Sequence, residues 1–169
     1  MVPNNSRARP ANCLAIKANQ EVKMTDKKRA ILYLFIIAFI TNLIWENLQA
    51  PLYTGFKNFG QHFLFCLVAS LVDAVVILAF YFIISLIRKD AFWLLNIRLA
   101  DMLVLLALGL FTALLFEKWA LQSGTWDYTS EMPVIFGIGL APLIQLAILS
   151  IISIYLVKIA FGRRVARHN

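Results

Sequence analysis

Four polar residues stand within or at the end of long apolar stretches of this chain: Glu46, Asp73, Glu117 and Gln145. A carboxylate that reaches the hydrocarbon region of a bilayer costs roughly 2–3.5 kcal/mol even on the lenient insertion scale. Acids in such positions therefore need partners or have a function. Carboxyl groups are also common general acids and bases, so proton transfer is the first chemistry to consider.

Helical spacing arranges several of these polar residues in two stripes. Asn42, Glu46 and Gln49 stand at i, i+4 and i+7, so they share one face of the first helix. His62 and Asp73 share a face of the second helix and are about 16 Å apart at 1.5 Å per residue. This spacing predicts a pocket with Glu46 at its rim and Asp73 at its floor, near the membrane midplane.

We therefore predict a polar pocket in which Glu46 and Asp73 carry any acid–base chemistry. Seven further residues are expected to bind a ligand there: Asn42, Gln49, His62, Glu117, Trp126, Tyr128 and Gln145. We predict no metal site, because no C-x-x-C, H-E-x-x-H or Asp-rich repeat occurs. No G-x-S-x-G element or phosphate loop is present either, and the sequence leaves any cofactor unknown.

Most of these residues also have a purely structural interpretation. Glu46 could reach the headgroups or pair with Lys57, and Glu117 could form an interfacial ion pair with Lys118. His62 could be an interfacial residue, like many at the start of a span. The acid in the second span is the hardest to explain in this way, because it is alone among apolar neighbours.

Composition and length predict the fold class. The chain has 169 residues, of which 61% are hydrophobic and 15% are charged, far from the balance of a soluble domain. A helix of about 20 residues crosses the hydrocarbon core, and four apolar blocks have that length. We predict an all-α polytopic membrane protein, an antiparallel bundle with spans near 30–49, 62–87, 99–117 and 134–157.

The fourth predicted span begins with two glycines and carries a proline in its middle. Gly137 and Gly139 are expected to allow close helix approach, and Pro142 is expected to kink the helix. Pro133 would lie in the opening turn, where proline is tolerated.

The charge of +7 is distributed along the chain in a way that predicts topology rather than nucleic-acid binding. Lysine and arginine concentrate in residues 1–29, in the 88–98 connection and after residue 157. By the positive-inside rule, both termini and the 88–98 loop face the cytoplasm. We expect an integral protein of the bacterial inner membrane, in contact with membrane lipid and not with nucleic acid.

The two ends of the chain are predicted to lie outside the transmembrane domain, which we place at 30–161. Residues 1–29 form a basic polar N-terminal tail, and Met24 is an alternative start immediately before the first span. Residues 162–169 form a short basic cytoplasmic tail.

The aromatic residues indicate which face of the bundle carries the function. Among the tryptophans and tyrosines, only Trp93 maps to the predicted inner loop, whereas the outer boundary receives Trp45, Tyr53, Trp119, Trp126 and Tyr128. A simple aromatic belt places tryptophan and tyrosine at both membrane–water interfaces. The asymmetry favours an outward-facing site.

Two strings in this sequence resemble a known group of proteins. They are W-E-x-x-Q-x-P-x-Y, from Trp45, and G-x-W-x-Y-x-x-x-M-P, from Gly124. Both are similar to a group of small four-span bacterial membrane proteins without an assigned activity. The resemblance covers roughly residues 24 to 160 and implies that the polar residues of these strings and Gln145 act together.

A weaker similarity connects the G-x-W-x-Y string and the proline-led helix after it to membrane enzymes of carotenoid cyclisation or hydration. That resemblance implies protonation of an isoprenoid double bond by a carboxylic acid. The chain lacks the Pro-x-Glu-Glu-like acidic pair of the cyclases.

Three hypotheses about function follow. In the first, an outward-facing pocket inside the membrane binds a lipid-like or other small molecule, with carboxyl acid–base chemistry as an extension that would make the protein an enzyme. In the second, the protein is a non-enzymatic subunit or assembly factor that contacts a larger membrane partner. In the third, Asp73 relays protons or ions in a homo-oligomer. The first requires Glu46, Asp73, Glu117 and Gln145 to converge, whereas the second turns some of them toward lipid.

Overall fold

The computed structural model describes the backbone of residues 9–165 and the side chains of residues 26–160. Four long helices dominate it: α1 (Arg9–Gln49), α2 (Phe59–Arg88), α3 (Leu99–Ser123) and α4 (Leu140–Val165). Each contains a segment long and apolar enough to cross a membrane, namely Asp26–Leu52, Phe59–Arg88, Leu99–Ser123 and Leu140–Ala160. The prediction of an all-α, four-helix polytopic protein is confirmed.

The helices end where the sequence supplies stop signals. Pro51 follows the last turn of α1, since proline cannot donate the next backbone hydrogen bond. The Asn58 side chain accepts a hydrogen bond from the Gln61 backbone and so caps the start of α2. Gly124, with φ +66°, ends α3 in the left-handed conformation that glycine adopts without strain. Short connections then place consecutive helices antiparallel.

Helix packing leaves one side of the bundle open. Helix α1 packs against both α2 and α4, and α3 packs against α4, whereas α2 and α3 make few contacts with each other. We call the end of the bundle with connections 50–58 and 124–139 the upper end, and the end with connection 89–98 the lower end. The space between α2 and α3 is called the α2–α3 gap.

The lower end is closed by a packed aromatic core and an ion pair. The Trp93 side chain is fully buried, and its Nε1 donates to the Tyr81 carbonyl oxygen at 3.3 Å and to Ser85 Oγ at 3.1 Å. Arg88 Nη1 lies 2.6 Å from Asp101 Oδ2, and both side chains are largely buried. These contacts fix the lower ends of α2 and α3, so the bundle opens only toward its upper half.

Close approach of α3 and α4 depends on Gly109 rather than on the glycines of the predicted fourth span. A Cβ at Gly109 would lie 2.4 Å from the Ala147 Cα, inside any possible contact distance. A small residue at this crossing is typical of tightly packed membrane helices. The expectation that Gly137 and Gly139 serve this purpose is wrong, because both lie before α4 begins.

The fourth span begins later than predicted because a hairpin precedes it. Strands β1 (Val134–Ile135) and β2 (Ile138–Gly139) pair antiparallel around a two-residue turn. The turn residues Phe136 and Gly137 have φ +50° and +78°, the combination of positive angles that a type I′ hairpin needs. Helix α4 therefore starts at Leu140, and Pro142 lies in its first turn rather than in its middle.

The N-terminal segment is helical over its described part. Helix α1 starts at Arg9 and continues without a break through Ala30, whereas the segment apolar enough to cross a membrane begins at Asp26. Lysine, glutamate and alanine in this segment are good helix formers, and no proline follows Pro10 until Pro51. Residues 1–8 and 166–169, parts of the two predicted tails, lie outside the described residues.

Candidate functional site

Backbone pairing between the two upper connections builds a roof over the upper end. Tyr53 and Tyr128 form an isolated antiparallel bridge. Beside it, the Thr54 amide donates to the Asp127 carbonyl at 2.9 Å, and the Thr129 amide donates to the Leu52 carbonyl at 2.9 Å. We call the two joined segments, 52–54 and 127–129, the roof. It ties the end of α1 to the connection that leads into α4.

Aromatic rings stack on the roof. The Tyr53 ring meets Trp126 edge-on at 6.0 Å between centroids and lies 5.7 Å from the Tyr128 ring. Aromatic pairs at these distances and angles are favourable beyond their buried area. The roof and its rings therefore give Trp126 and Tyr128 defined positions over the bundle interior.

Gln145 is the hub of the polar network below the roof. Its Nε2 lies 2.7 Å from Glu46 Oε1, 2.8 Å from Asp73 Oδ2 and 3.1 Å from Asn42 Oδ1. Its side chain is buried, and it is carried by the helix that packs against both α1 and α3. A single amide of α4 thus joins the polar stripes predicted for α1 and α2.

Gln49 completes this network from α1. Its Nε2 donates to Gln145 Oε1 at 2.8 Å and to Glu46 Oε1 at 3.1 Å. Its own carbonyl oxygen accepts from Trp45 Nε1 at 3.1 Å. The position and orientation of both amides are therefore determined by their partners. We call Asn42, Glu46, Gln49, Asp73 and Gln145 the amide–acid network.

The network contains more acceptors than its donors can satisfy. The Gln145 amide has two hydrogens, but Asn42, Glu46 and Asp73 each present it with an oxygen. Two hydrogens cannot satisfy three acceptors at full strength, so the acids compete for one donor group. A proton on one carboxyl, or a donor from a bound molecule, would relieve this shortage.

Glu117 forms a second cluster with the roof. Its Oε2 accepts a hydrogen bond from the Tyr128 hydroxyl and another from Trp126 Nε1 at 3.3 Å. The Glu117 side chain is buried although it lies near the upper end of α3. This cluster fixes the upper part of α3 to the roof. Glu117, Trp126 and Tyr128, all predicted as site residues, are therefore direct neighbours.

A cavity of about 1460 Å³ joins the two clusters. Its polar lining includes Glu46, Gln49, Asp73, Glu117 and Gln145, and its walls come from α2 and α3. Tyr53, Thr54, Thr125 and Asp127 border it on the side of the roof, whereas Tyr128 does not line it. Glu46, Asp73, Glu117 and Gln145, whose convergence the pocket hypothesis requires, all line this one cavity.

Each of the three acids keeps one oxygen free for this cavity. From the residues whose side chains are described, Glu46 accepts hydrogen bonds only on Oε1, Asp73 only on Oδ2 and Glu117 only on Oε2. Among the described residues, no fully buried side-chain oxygen or nitrogen lacks a hydrogen-bond partner. The second oxygen of each acid is therefore accessible from the cavity and available to a bound molecule.

The remaining predicted residues occupy different places. Asn42 belongs to the network but does not line the cavity, since it is fully buried and its Nδ2 donates to the Ala38 carbonyl at 2.8 Å. His62 lines the cavity wall, where its ring packs on Phe56 and Phe65, and within the described part of the chain it makes no hydrogen bond to the acids.

Ion pairing does not explain the acids of the site. Over the residues whose side chains are described, the ion pairs are Arg29–Asp26 and Arg88–Asp101. Glu46 does not pair with Lys57, and Glu117 does not pair with Lys118. In the same part of the chain, no three His, Cys, Asp or Glu side chains are grouped closely enough to hold a metal ion. Amides, phenol and indole groups are the partners of these acids instead.

The two roof tyrosines are held in their neutral form. Burial raises the pKa of Tyr53, and the charges of Glu117 and Glu46 raise it further. Burial also raises the pKa of Tyr128, as does its hydrogen bond to Glu117, because the bond stabilises the protonated phenol. Both hydroxyls therefore remain donors up to a pH at which an ordinary tyrosine ionises.

Sequence patterns miss two contributors to the site. They place Tyr53 only at the aromatic boundary, although it stands in the W-E-x-x-Q-x-P-x-Y string with Glu46 and Gln49. Asp127 holds the roof through its backbone carbonyl, a contact for which side-chain patterns give no signal.

Comparison with family models, curated proteins and solved structures found no match for this chain.

Proposed function

We propose that this protein is an integral membrane protein that binds a lipid-like or other small molecule in the cavity beneath the roof. The observation that carries the proposal is the convergence of Glu46, Asp73 and Gln145, from three different helices, on one network with free carboxylate oxygens. A purely structural network would satisfy its acceptors internally, because unpaired polar groups in an apolar interior are expensive. Here the unused oxygens are directed to a space large enough for a ligand.

We also propose that the upper end faces the outside of a bacterial inner membrane. Arg88, Lys89 and Arg98 lie at or beside the lower connection, and basic connections stay in the cytoplasm. In this orientation the cavity opens outward and both termini are cytoplasmic. The resemblance to small four-span bacterial membrane proteins agrees with this location.

Carboxyl acid–base chemistry is a further part of the proposal. Glu46 and Asp73 share the Gln145 amide as donor, so loss or gain of a proton at one changes the hydrogen bonding of the other. A ligand atom within reach of either free oxygen would be positioned for proton transfer. Glu46 and Asp73 are the two residues we assign to this role.

The same convergence favours a pocket over a subunit surface. A subunit that used its acids to contact a larger partner would display them on the outer surface of the bundle. Asp73 and Glu117 are instead only 9% and 5% exposed. The alternative of a non-enzymatic subunit or assembly factor therefore receives no support from these residues.

The test is the small-molecule content of the purified protein. The full chain is extracted from its own membranes in mild detergent, and co-purifying small molecules are measured by mass spectrometry. The variants Asp73→Asn and Glu46→Gln keep the size of the side chain and remove the acid. The exposed Glu131, which does not line the cavity, supplies the matched control Glu131→Gln.

We expect one molecule to co-purify with the wild type and with Glu131→Gln. The same molecule should be absent from Asp73→Asn, although that variant accumulates to a normal level. Identical small-molecule content in all four proteins would refute the proposal. Failure of Asp73→Asn to accumulate, with normal content in Glu46→Gln, would instead assign the network to structural pairing.

A further inference from the structure

The cavity reaches the side of the bundle at the α2–α3 gap. Where α2 and α3 diverge, the cavity walls carry apolar side chains that no other part of the described chain covers: Phe65, Val68, Val72, Leu115, Phe116 and Trp119. Their exposed fractions run from 40% for Phe116 to 74% for Phe65. In a bilayer this face of the α2–α3 gap meets lipid chains, so an apolar molecule can reach the acids from the side.

The ionisable residues that line the cavity restrict which amphiphilic molecules can bind in it. Among the described residues that line the cavity are four carboxyl groups, Glu46, Asp73, Glu117 and Asp127, and one imidazole, but no lysine or arginine. A phosphate, sulfate or carboxylate headgroup would meet these four acids and no lysine or arginine in a low-dielectric space, where like charges repel strongly. The cavity therefore selects against anionic lipids.

The free hydrogen-bonding groups of the three acids also disfavour an anionic ligand. The free oxygens of Glu46, Asp73 and Glu117 are acceptors, and the Gln145 amide already divides its two hydrogens among three oxygens. Around these three acids, the unused hydrogen-bonding groups are therefore acceptors. An ammonium group supplies donors and positive charge together, which is what such a site lacks.

The aromatic residues complete the environment of a cation. Tyr53 and Trp126 line the upper part of the cavity, and Phe65, Phe116 and Trp119 line its sides. The faces of such rings attract cations, most strongly where water is excluded. Acids below and aromatic rings around them together form a site for an organic cation.

We propose that the ligand of this cavity is a cationic amphiphile, an apolar molecule that carries a protonated amine, and that it enters through the α2–α3 gap. The cation lies against Glu46 and Asp73, and the apolar body lies between α2 and α3. This inference rests on the proposed function, since it names the ligand class of the same cavity.

The experiment compares three probes that share one alkyl chain and differ only in the headgroup. They are dodecylammonium, dodecanol and dodecanoate, each used below its aggregation concentration with the full chain in nanodiscs of neutral lipid. Binding is followed by the fluorescence of the cavity tryptophans and by the shift in thermal unfolding. Asp73→Asn and Glu46→Gln are the test variants, with Glu131→Gln as the charge-matched control.

We expect dodecylammonium to bind the wild type roughly tenfold or more tightly than dodecanol, because the alcohol gains no charge interaction. The preference should fall by a similar factor in Asp73→Asn or Glu46→Gln and persist in Glu131→Gln. Equal binding of the cation and the alcohol, lost together in Asp73→Asn, would overturn the inference and leave the proposed pocket intact. Preference for dodecanoate, binding of none of the probes, or a cation preference unchanged by both acid substitutions would also overturn it.

Discussion

Gln145 on α4 donates a hydrogen bond of 2.8 Å to Asp73 on α2, although these two helices otherwise make few contacts. The bond crosses the interior of the bundle beside the cavity and brings the buried acid of α2 to the side chains of α1. Without it, Asp73 would have no hydrogen-bond donor among the described residues. The relationship makes Gln145 the residue on which the geometry of the site depends.

Substitution of Gln145 should therefore destabilise the protein more than its size suggests. Gln145→Ala removes the shared donor of Glu46, Asp73 and Asn42, and a buried polar group left without a partner costs about 1–3 kcal/mol. We expect a clearly lower temperature of thermal unfolding in detergent. The exposed Gln122 provides the control, and Gln122→Ala should unfold near the wild-type temperature. Equal stability of the two variants would remove Gln145 from the central role.

Glu117 and Tyr128 should be energetically coupled. The Tyr128 hydroxyl donates to Glu117 Oε2, so Tyr128→Phe and Glu117→Gln each disrupt the same contact. A double-mutant cycle on the free energy of unfolding should give a coupling of about 1–3 kcal/mol, the range of hydrogen bonds to charged groups. Tyr155, half-exposed on α4, supplies the comparison, and Tyr155→Phe should show additive behaviour with Glu117→Gln. An additive Tyr128 cycle would contradict the described contact.

Gly109 should tolerate no side chain. In Gly109→Ala the new Cβ would meet the Ala147 backbone, so α3 and α4 must separate, and overpacking of this kind costs about 1–3 kcal/mol. Gly60 near the start of α2 is the matched control, since a Cβ there would find only the Asn58 side chain at 3.4 Å. Thermal unfolding should be lowered in Gly109→Ala and nearly unchanged in Gly60→Ala. Loss of stability in both, or in neither, would contradict the close α3–α4 contact.

Alkaline pH should destabilise the fold through the roof tyrosines. Because the folded state raises the pKa of Tyr53 and Tyr128, it holds their protons more tightly than the unfolded chain does. Their contribution to stability is complete below the ordinary tyrosine pKa of about 10 and is lost as the pH rises above it.

The measurement is unfolding as a function of pH for the wild type and for the double variant Tyr53→Phe, Tyr128→Phe. The double variant should lose less stability than the wild type between neutral pH and the alkaline range. Parallel loss in the two proteins would show that the roof phenols are not the responsible groups.

The helices and the polar stripes could be predicted from the sequence because both follow from local periodicity. Apolar blocks of sufficient length indicated the spans, and the i, i+4, i+7 spacing placed Asn42, Glu46 and Gln49 on one face. Spacing and residue type alone therefore identify the members of the network. They do not identify which side chains bond to each other, because those partners come from different helices.

The α2–α3 gap and the start of α4 could not be predicted, because they depend on how the helices and the hairpin pack, which no local pattern encodes. The α2–α3 gap exists because α1 and α4 form the centre of the packing, and the sequence does not state that order. The late start of α4 at Leu140 depends on a hairpin whose turn, Phe136-Gly137, places a bulky residue at positive φ. The residues on both sides of that turn are as apolar as those of a membrane span, so the sequence pattern places the start of the fourth span too early.

Access of water to the cavity from outside the cell tests the outward-facing pocket most directly. Ala69 lines the cavity, whereas Leu71, two residues further along α2, is 47% exposed on the bundle surface and does not line it. In a background of Cys13→Ser and Cys66→Ala, the variant Ala69→Cys places a single cysteine in the cavity, and the variant Leu71→Cys places it on the bundle surface. Intact cells are treated with a charged, membrane-impermeant thiol reagent.

We expect rapid modification of the Ala69→Cys variant and little modification of the Leu71→Cys variant, which lies at nearly the same depth but faces lipid. Equal modification of the two positions, or modification of the Ala69→Cys variant only after the cytoplasmic side is exposed, would contradict an outward-facing cavity at Glu46 and Asp73.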